Sequence, residues 1–550
     1  MRIRKGLFII LCFWAAVLIR AEASASELSF YEDGDVVGFI GDSITHVTYS
    51  SLSYVEMMEQ YYQSCFPARS VEFRNLGTDG FKAIDVLNIY DQDPAFQGIN
   101  KAVVMLGTNE AILGISTEEY TGNMEALVGR LKESGLEGED ILILSPPLCD
   151  QDRAGNIDKN GNRRWHFEDR ILAYMEELEK QTAEWGVHYL DLHTPMAELT
   201  RKMQQEDAGY SLTRDSIHPS AAGQRLLAYY ILQAQGAESG FLAAILLPEG
   251  GDAQALRGKV TDFYRGTRGI CWNWKPGTLP IAVTEDITEF RKLFEDTAMP
   301  YGNILQADGL SVDVSYTLRM AEAELGNFTG EELAEGIDLN MLEGHPQRTL
   351  AEQTAALNRK RHQEAAAYRK MWIEVMMQRA SYTKEQAQAA YDKWRTADEQ
   401  LRREIQLLTE EMAGGVYPMT ILEEGYTAEE LEQEAREAEE ARKAAEEQAR
   451  LEAEEAAKKA AEEKAGAGEE QERIRAEEQA RAGEEQERIR AEEQARREAE
   501  EREALELAEL EAEKTHRIEL IRKRLLAAGV CLGCALALAV NARKRKRRKG

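Results

Sequence analysis

The sequence predicts an α/β fold built on a parallel sheet over residues 27–240. Short apolar segments alternate there with longer amphipathic ones, the pattern of strand–helix–strand units. The short segments are dense in Val, Ile and Leu, as strands covered on both faces must be. The first of them, Val36 to Ile40, runs directly into Gly41-Asp42-Ser43. That sets one hydroxyl on a tight turn at the C-terminal end of a buried strand, the end at which open α/β sheets bind ligands.

Each element follows from its pattern. Strands are expected at Val36–Ile40, Val71–Asn75, Lys101–Leu106, Ile141–Ser145 and His188–Leu192. Helices are expected at Ser53–Ser64, Thr117–Glu133, His166–Trp185 and Ala221–Gln235. Residues 241–345 are rich in Gly, Pro and aromatics and read as a small, partly β accessory segment. Residues 346–412 turn helical, with a break and a new cap near Ser381–Thr383, which predicts a helical hairpin.

The chemistry can be sought around Ser43. A serine at a strand end is a nucleophile only if a base and oxyanion donors join it. Asn75-Leu76-Gly77-Thr78-Asp79-Gly80 ends the second strand, and Gly77 can offer a backbone N–H because no Cβ blocks close approach. Gly107-Thr108-Asn109-Glu110 ends the third, and the Asn109 amide can donate to the same oxyanion. Asp215-Ser216-Ile217-His218 precedes an apolar helix. His218 can take the Ser43 proton, and Asp215 can orient the imidazole. A rival G-x-S-x-G serine is absent from the chain.

These four blocks, in this order, resemble the SGNH hydrolases, or GDSL lipase/esterase superfamily. The resemblance covers about 200 residues. It implies a three-layer α/β/α flavodoxin-like sandwich with Ser43 as nucleophile, His218 as base and Asp215 as its partner. It also implies oxyanion donors at Ser43, Gly77 and Asn109, and no metal or organic cofactor. Glu110 departs from the family, which usually has Asp there. Residues 241–370 also resemble, more loosely, the C-terminal extension of some secreted bacterial members.

Other side chains invite a bland reading. Of His188, Asp191 and His193, only the last two share a strand face, and packing is expected rather than a metal. His46 can line the pocket or sit on a surface helix. Trp165-His166 lies in a polar loop of the kind that rims active sites. Trp272 and Trp274 can stack on sugars, but covering the accessory segment is the simpler role.

The two ends of the chain bear on location. Met1-Arg2-Ile3-Arg4-Lys5, an apolar run from Leu7 to Ile19 and Ala23-Ser24-Ala25 together read as a signal peptide over 1–25. Leu525 to Val540 is apolar or small, and a run of Arg and Lys follows. That predicts a single transmembrane helix over 525–541 with residues 542–550 as a basic cytoplasmic tail. The net charge of −31 excludes a nucleic-acid partner, whose phosphates would be repelled. Residues 427–516 hold 32 acidic and 16 basic side chains, so the excess is regional. Over 427–523 the composition narrows to Ala, Glu, Arg, Lys and Gln, and AGEEQERIRAEEQAR at 467–481 recurs unchanged at 482–496. Glu-to-Arg/Lys pairs at i,i+4 support a helix there. Large apolar residues are too sparse for a coiled-coil seam, so a single charged stalk is expected, with a disordered linker as the alternative. Cys65, Cys149 and Cys271 allow at most one disulfide, which spacing does not assign.

The combined expectation is an extracellular, membrane-anchored serine esterase acting on short acyl esters, acetyl above all, carried by carbohydrate. Lipid ester hydrolysis and glycan binding by a non-catalytic surface protein are the alternatives.

Overall fold

The Val/Ile/Leu segments form a five-stranded sheet in the computed structural model, which describes residues 28–47, 53–151, 159–162, 167–237, 242–294, 301–379 and 382–460. The strands are β1 (Val36–Gly41), β2 (Glu72–Gly77), β3 (Lys101–Met105), β4 (Ile141–Leu144) and β5 (His188–Leu190). All pair in parallel, in the order β2-β1-β3-β4-β5. That order is one of the two common doubly wound arrangements.

Alternation within each strand sends side chains to two separate cores. Val37, Phe39, Val103, Met105, Leu142 and Leu144 face one side. There they meet α2 (Tyr54–Cys65), which follows the single turn α1 (Ser43–His46), and α8 (Ala221–Ala234). Ile40, Ala102, Val104, Ile141 and Ile143 face the other. They meet α3 (Ala83–Ile89), α5 (Thr117–Glu133) and α6 (Glu168–Trp185). Helix α3 was not among the expected helices, and neither were α4 (Thr108–Leu113), which soon follows β3, and α7 (His193–Met203).

The accessory segment contains more β structure than its composition suggests. A mixed sheet orders as β13-β10-β6-β7, from Ile337–Asp338, Asn303–Ala307, Ala243–Leu247 and Gln254–Leu256. An antiparallel sheet orders as β12-β11-β14-β9-β8. Its strands are Ala323–Thr329, Ser315–Met320, Tyr417–Glu423, Gly269–Pro276 and Gly258–Arg265. Trp272 and Trp274 are 2% and 1% exposed inside this core, which accounts for both as packing residues. Two short helices, α9 (Glu285–Lys292) and α10 (Gly330–Glu335), complete the segment.

The hairpin is α11 (Arg348–Met376) and α12 (Lys384–Gly414). Thr383 caps α12, accepting from the Gln386 N–H while the Gln386 side chain accepts from the Thr383 N–H. Beyond it the chain returns as β14 and pairs with β9 on one side and β11 on the other. The hairpin is therefore an insertion in the accessory β structure rather than a unit that follows it. Tyr368, Ile373 and Trp394 join the core that holds Ile40, Leu76 and Val104, so the hairpin also packs on the parallel-sheet part of the chain.

Residues 428–460 are helical, and almost all of them are exposed after Leu431. The expected signal peptide, Trp165-His166, the tandem repeat, the 525–541 span and the basic tail lie outside the described residues. Among the described residues no helix is long and apolar enough to cross a membrane. Cys65, Cys149 and Cys271 are all free thiols.

Candidate active site

Register brings the expected blocks together. Gly41 of β1 lies level with Gly77 of β2 and with Met105 of β3. The residues that follow each strand therefore emerge side by side at one edge of the sheet. Ser43 opens α1, and Asp42 caps it by accepting from the Ile44 N–H at 2.8 Å. The Ser43 N–H is thus the first of a helix, where backbone donors have no partner within the helix. Val47, at φ 48°, ends the turn after four residues.

His218 arrives from the other end of the domain. Its Nε2 is 2.9 Å from Ser43 Oγ, and its Nδ1 is 2.8 Å from Asp215 Oδ2. The second carboxylate oxygen of Asp215 accepts from the backbone N–H groups of Ile217 and His218, at 3.2 and 2.8 Å. Ser216, buried at φ 78°, makes the bend that folds the carboxylate back onto the imidazole. Burial alone would raise the Asp215 carboxyl, but the hydrogen bonds from His218 hold it below its usual range. Asp215 thus stays ionised beside the ring, which fixes the His218 tautomer that leaves Nε2 facing Ser43.

The candidate oxyanion donors stand differently from the sequence expectation. Gly77 does come close to the serine turn: a Cβ there would collide with the His46 backbone, falling 2.8 Å from its Cα. Its N–H, however, donates to Asn75 Oδ1 at 3.0 Å. Asn75 Nδ2 in turn donates to the Thr45 carbonyl at 2.7 Å, so the side chain stitches β2 to α1. Gly77 is therefore a close-packing residue whose amide is already engaged. Gly80 is a candidate that sequence reasoning missed. It is exposed, has φ 75°, and its N–H has no partner among the described residues. The next carbonyl, Phe81 O, accepts from Asn109 Nδ2 at 3.0 Å, which ties the Gly80–Phe81 stretch to the Asn109 side chain. Asp79-Gly80 is a turn signal in the sequence, but two glycines stand in that block and only the hydrogen bonds separate them.

Asn109 also donates to Asp42 Oδ2 at 3.2 Å, directly behind the serine. Burial pushes the Asp42 carboxyl up to about 7, and the nearby Glu110 and Asp79 carboxylates add to the rise. Glu110, the departure from the family pattern, accepts from the Ala83 N–H at 2.8 Å at the start of α3. It thereby holds the far end of the loop that carries Gly80. His46 pairs with Asp79 at 2.9 Å, on the rim. His193 is buried against Glu168 at 2.6 Å, and Asp191 accepts from the Thr194 N–H, which settles both as structural contacts. Among the described residues no cluster of three or more His, Cys, Asp or Glu side chains could hold a metal.

Residues 39–226 match the GDSL-like lipase/acylhydrolase family. No curated protein matches the sequence. Of solved structures, a gut microbial diltiazem-metabolizing enzyme superposes with a TM-score of 0.58 at 20% identity, over 72% of this chain and all of that one. The acetylxylan esterase Axe2 of Geobacillus stearothermophilus aligns at 20% identity over 38% of this chain and 96% of its own, with a TM-score of 0.31. A hydrolase from the Lake Arreo metagenome aligns at 23% identity over 38% and 97%, with a TM-score of 0.30. Residues 39–226 are accordingly a GDSL-like domain of the SGNH superfamily, and the chain that carries them is a carboxylic ester hydrolase.

Proposed function

We propose that this chain hydrolyses short acyl esters, acetyl esters of carbohydrates foremost, by way of an acyl-enzyme on Ser43. The observation that carries the reading is the unbroken chain of contacts from Ser43 Oγ through His218 to Asp215, at 2.9 and 2.8 Å. In the first half-reaction Ser43 Oγ attacks the ester carbonyl and gives its proton to His218 Nε2. The tetrahedral oxyanion is held by the Ser43 N–H, the Gly80 N–H and the Asn109 amide, which exchanges its 3.2 Å bond to Asp42 for the oxyanion. The C–O bond to the alcohol then breaks, and the alcohol leaves with the proton from His218. Water, deprotonated by the same nitrogen, attacks the acyl-serine, and Ser43 recovers its proton as the acid departs.

The substrate class is inferred from the surroundings. The groups about Ser43 are polar: the His46–Asp79 pair, Asn109, and the exposed Arg214 beside Asp215. A polar, open rim suits a hydroxyl-rich leaving group better than a long alkyl chain, which needs an apolar channel. Location outside the cell rests on the sequence at 1–25, the apolar run at 525–540 and the basic residues after it. A charged stalk between enzyme and membrane is consistent with a polymeric substrate.

Turnover of p-nitrophenyl acetate by the purified protein tests the reaction. Ser43→Ala is expected to lower kcat by several orders of magnitude. Equal rates for the two proteins would remove the esterase reading and leave glycan binding as the role. Release of acetate from an acetylated polysaccharide, set against release of fatty acid from a lipid ester, then tests the substrate class.

A further inference from the structure

The hairpin lies outside the residues that match the family, yet one of its side chains reaches the turn beside Ser43. Arg369 of α11 is 3% exposed. Its Nη1 donates to the Gly77 carbonyl at 2.9 Å. Its Nε and Nη2 hold Asp93 Oδ2 at 3.3 and 3.2 Å, and the Asp93 side chain is fully buried. The guanidinium thus bridges a buried carboxylate, whose other oxygen accepts from the Ala95 N–H, and a peptide group that helps to shape the site.

Gly77 is a junction between two peptide groups. The Gly77 carbonyl belongs to Arg369, and the Gly77 N–H belongs to Asn75, whose amide holds the carbonyl of Thr45. Thr45 lies two residues after Ser43 in the same helical turn. Past the junction the chain runs through Thr78 and Asp79 to Gly80, and Thr78 N–H donates to the Gly41 carbonyl at 3.0 Å. A hydrogen-bonded path therefore leads from the hairpin to the nucleophile turn and to the loop that bears an oxyanion donor. Gly77 has no side chain to wedge it in place, and the position tolerates none. The Thr78 N–H bond to Gly41 holds one side of the Gly77–Thr78 peptide and Arg369 holds the carbonyl side, and a planar five-donor fork suits two acceptors at once.

We infer that Arg369 is a positioning residue for ester hydrolysis, and that the hairpin is consequently part of the catalytic apparatus rather than a spacer. This rests on the esterase reading above. Arg369 touches no reacting atom; with Gly41 it holds the Gly77–Thr78 peptide, and through it the geometry of the serine turn and of the Gly80 loop. The contribution belongs to the transition state, because small misplacements of such donors cost rate more than affinity.

The test is steady-state hydrolysis of p-nitrophenyl acetate by the full chain. Arg369→Met is expected to lower kcat roughly 10- to 100-fold with KM within about threefold. Arg369→Lys, which keeps a charge against Asp93, serves if the first variant does not fold, and it is expected to shift kcat in the same direction. Arg395→Gln is the control. It removes another ion pair of the hairpin, to Glu72 at 2.8 Å, without touching the turn, and should leave kcat within about twofold. A folded Arg369 variant with wild-type kcat, beside an inactive Ser43→Ala, overturns this inference alone. An equal fall in kcat for Arg395→Gln also overturns it, since hairpin docking in general would then be the cause. A Ser43→Ala protein as active as wild type overturns the reading of the site and this inference with it.

Discussion

Asp42 shows how a single residue can serve the site at a cost to stability. One oxygen caps the serine turn and the other holds Asn109, and the residue is 2% exposed. Its carboxyl is pushed up to about 7 in the folded protein, against an ordinary value of 3.8. The folded state therefore binds a proton more tightly than the unfolded chain does. The sign follows: this contribution to stability is fully present below about pH 4 and is lost as pH rises through 7. Asp42→Asn keeps an acceptor for the Ile44 N–H and removes the titration. The wild type should lose stability relative to Asp42→Asn between about pH 4 and 7, by an amount on the order of 4 kcal/mol at full extent. Thermal midpoints of both proteins across that range check it, and parallel curves would contradict it. At this scale much was legible in the sequence. Ser43 and Asn109 were identifiable because a strand end followed by a turn reveals itself locally, and Asp215 and His218 because they stand three residues apart just before an apolar helix. The choice between Gly77 and Gly80 was not, because it depends on which amide Asn75 engages, and Asn75 turns toward α1 only once β1 and β2 are in register.

At the scale of elements, the hairpin is held down by charge as much as by apolar contact. Arg361 of α11 bonds Glu59 of α2 and Asp398 of α12, at 2.6 and 2.8 Å, and all three side chains are at most 4% exposed. Burial would raise the Glu59 carboxyl, but Arg361 and His362 outweigh it and hold it down to about 2. Such a group is worth little against a well-packed apolar substitute, yet removing one partner leaves charges stranded. Arg361→Ala should thus cost about 3–5 kcal/mol in urea unfolding. By contrast, the exposed pair of Arg319 with Glu324 in the accessory sheet should change stability by under about 1 kcal/mol when Arg319 becomes Ala. Equal costs for the two would show that burial does not set the strength of these contacts. The hairpin itself was readable from its 3.6-residue period and the cap at Thr383. Its docking was not, because Arg361, Arg369 and Arg395 look in sequence like solvated positions on a charged helix. Strand β14 was missed for a related reason. Its partners β9 and β11 lie roughly 100 to 150 residues away, and a seven-residue segment after Gly414-Gly415 has no local mark of a central strand.

For the molecule as a whole, the open question of physics is how far the charged helix extends. Residues 428–460 are helical, and their polar faces pair within the helix. Arg442 bonds Glu439 and Glu446, both at 2.8 Å, and Lys443 reaches Glu439 at 3.4 Å. Each exposed pair is weak on its own, so the helix depends on many of them together with the high propensity of Ala, Glu, Arg and Lys. The same composition continues through the tandem repeat to residue 523, so the same balance should hold there, weakened at Gly466, Gly468 and Gly483. Sparse apolar residues give no seam on which two such helices could zip. A peptide spanning 427–523 should therefore show a helical circular dichroism spectrum at low salt. Its helicity should fall as salt rises to about 1 M, where the Debye length is about 3 Å and surface pairs are screened. It should not depend on peptide concentration. A coil spectrum at low salt would replace the stalk with a tether, whereas helicity that grows with concentration would mean that a coiled coil forms despite the missing seam. Either result would change the reach of the enzyme, since a continuous helix of that length extends roughly 1.5 Å per residue and a coil far less.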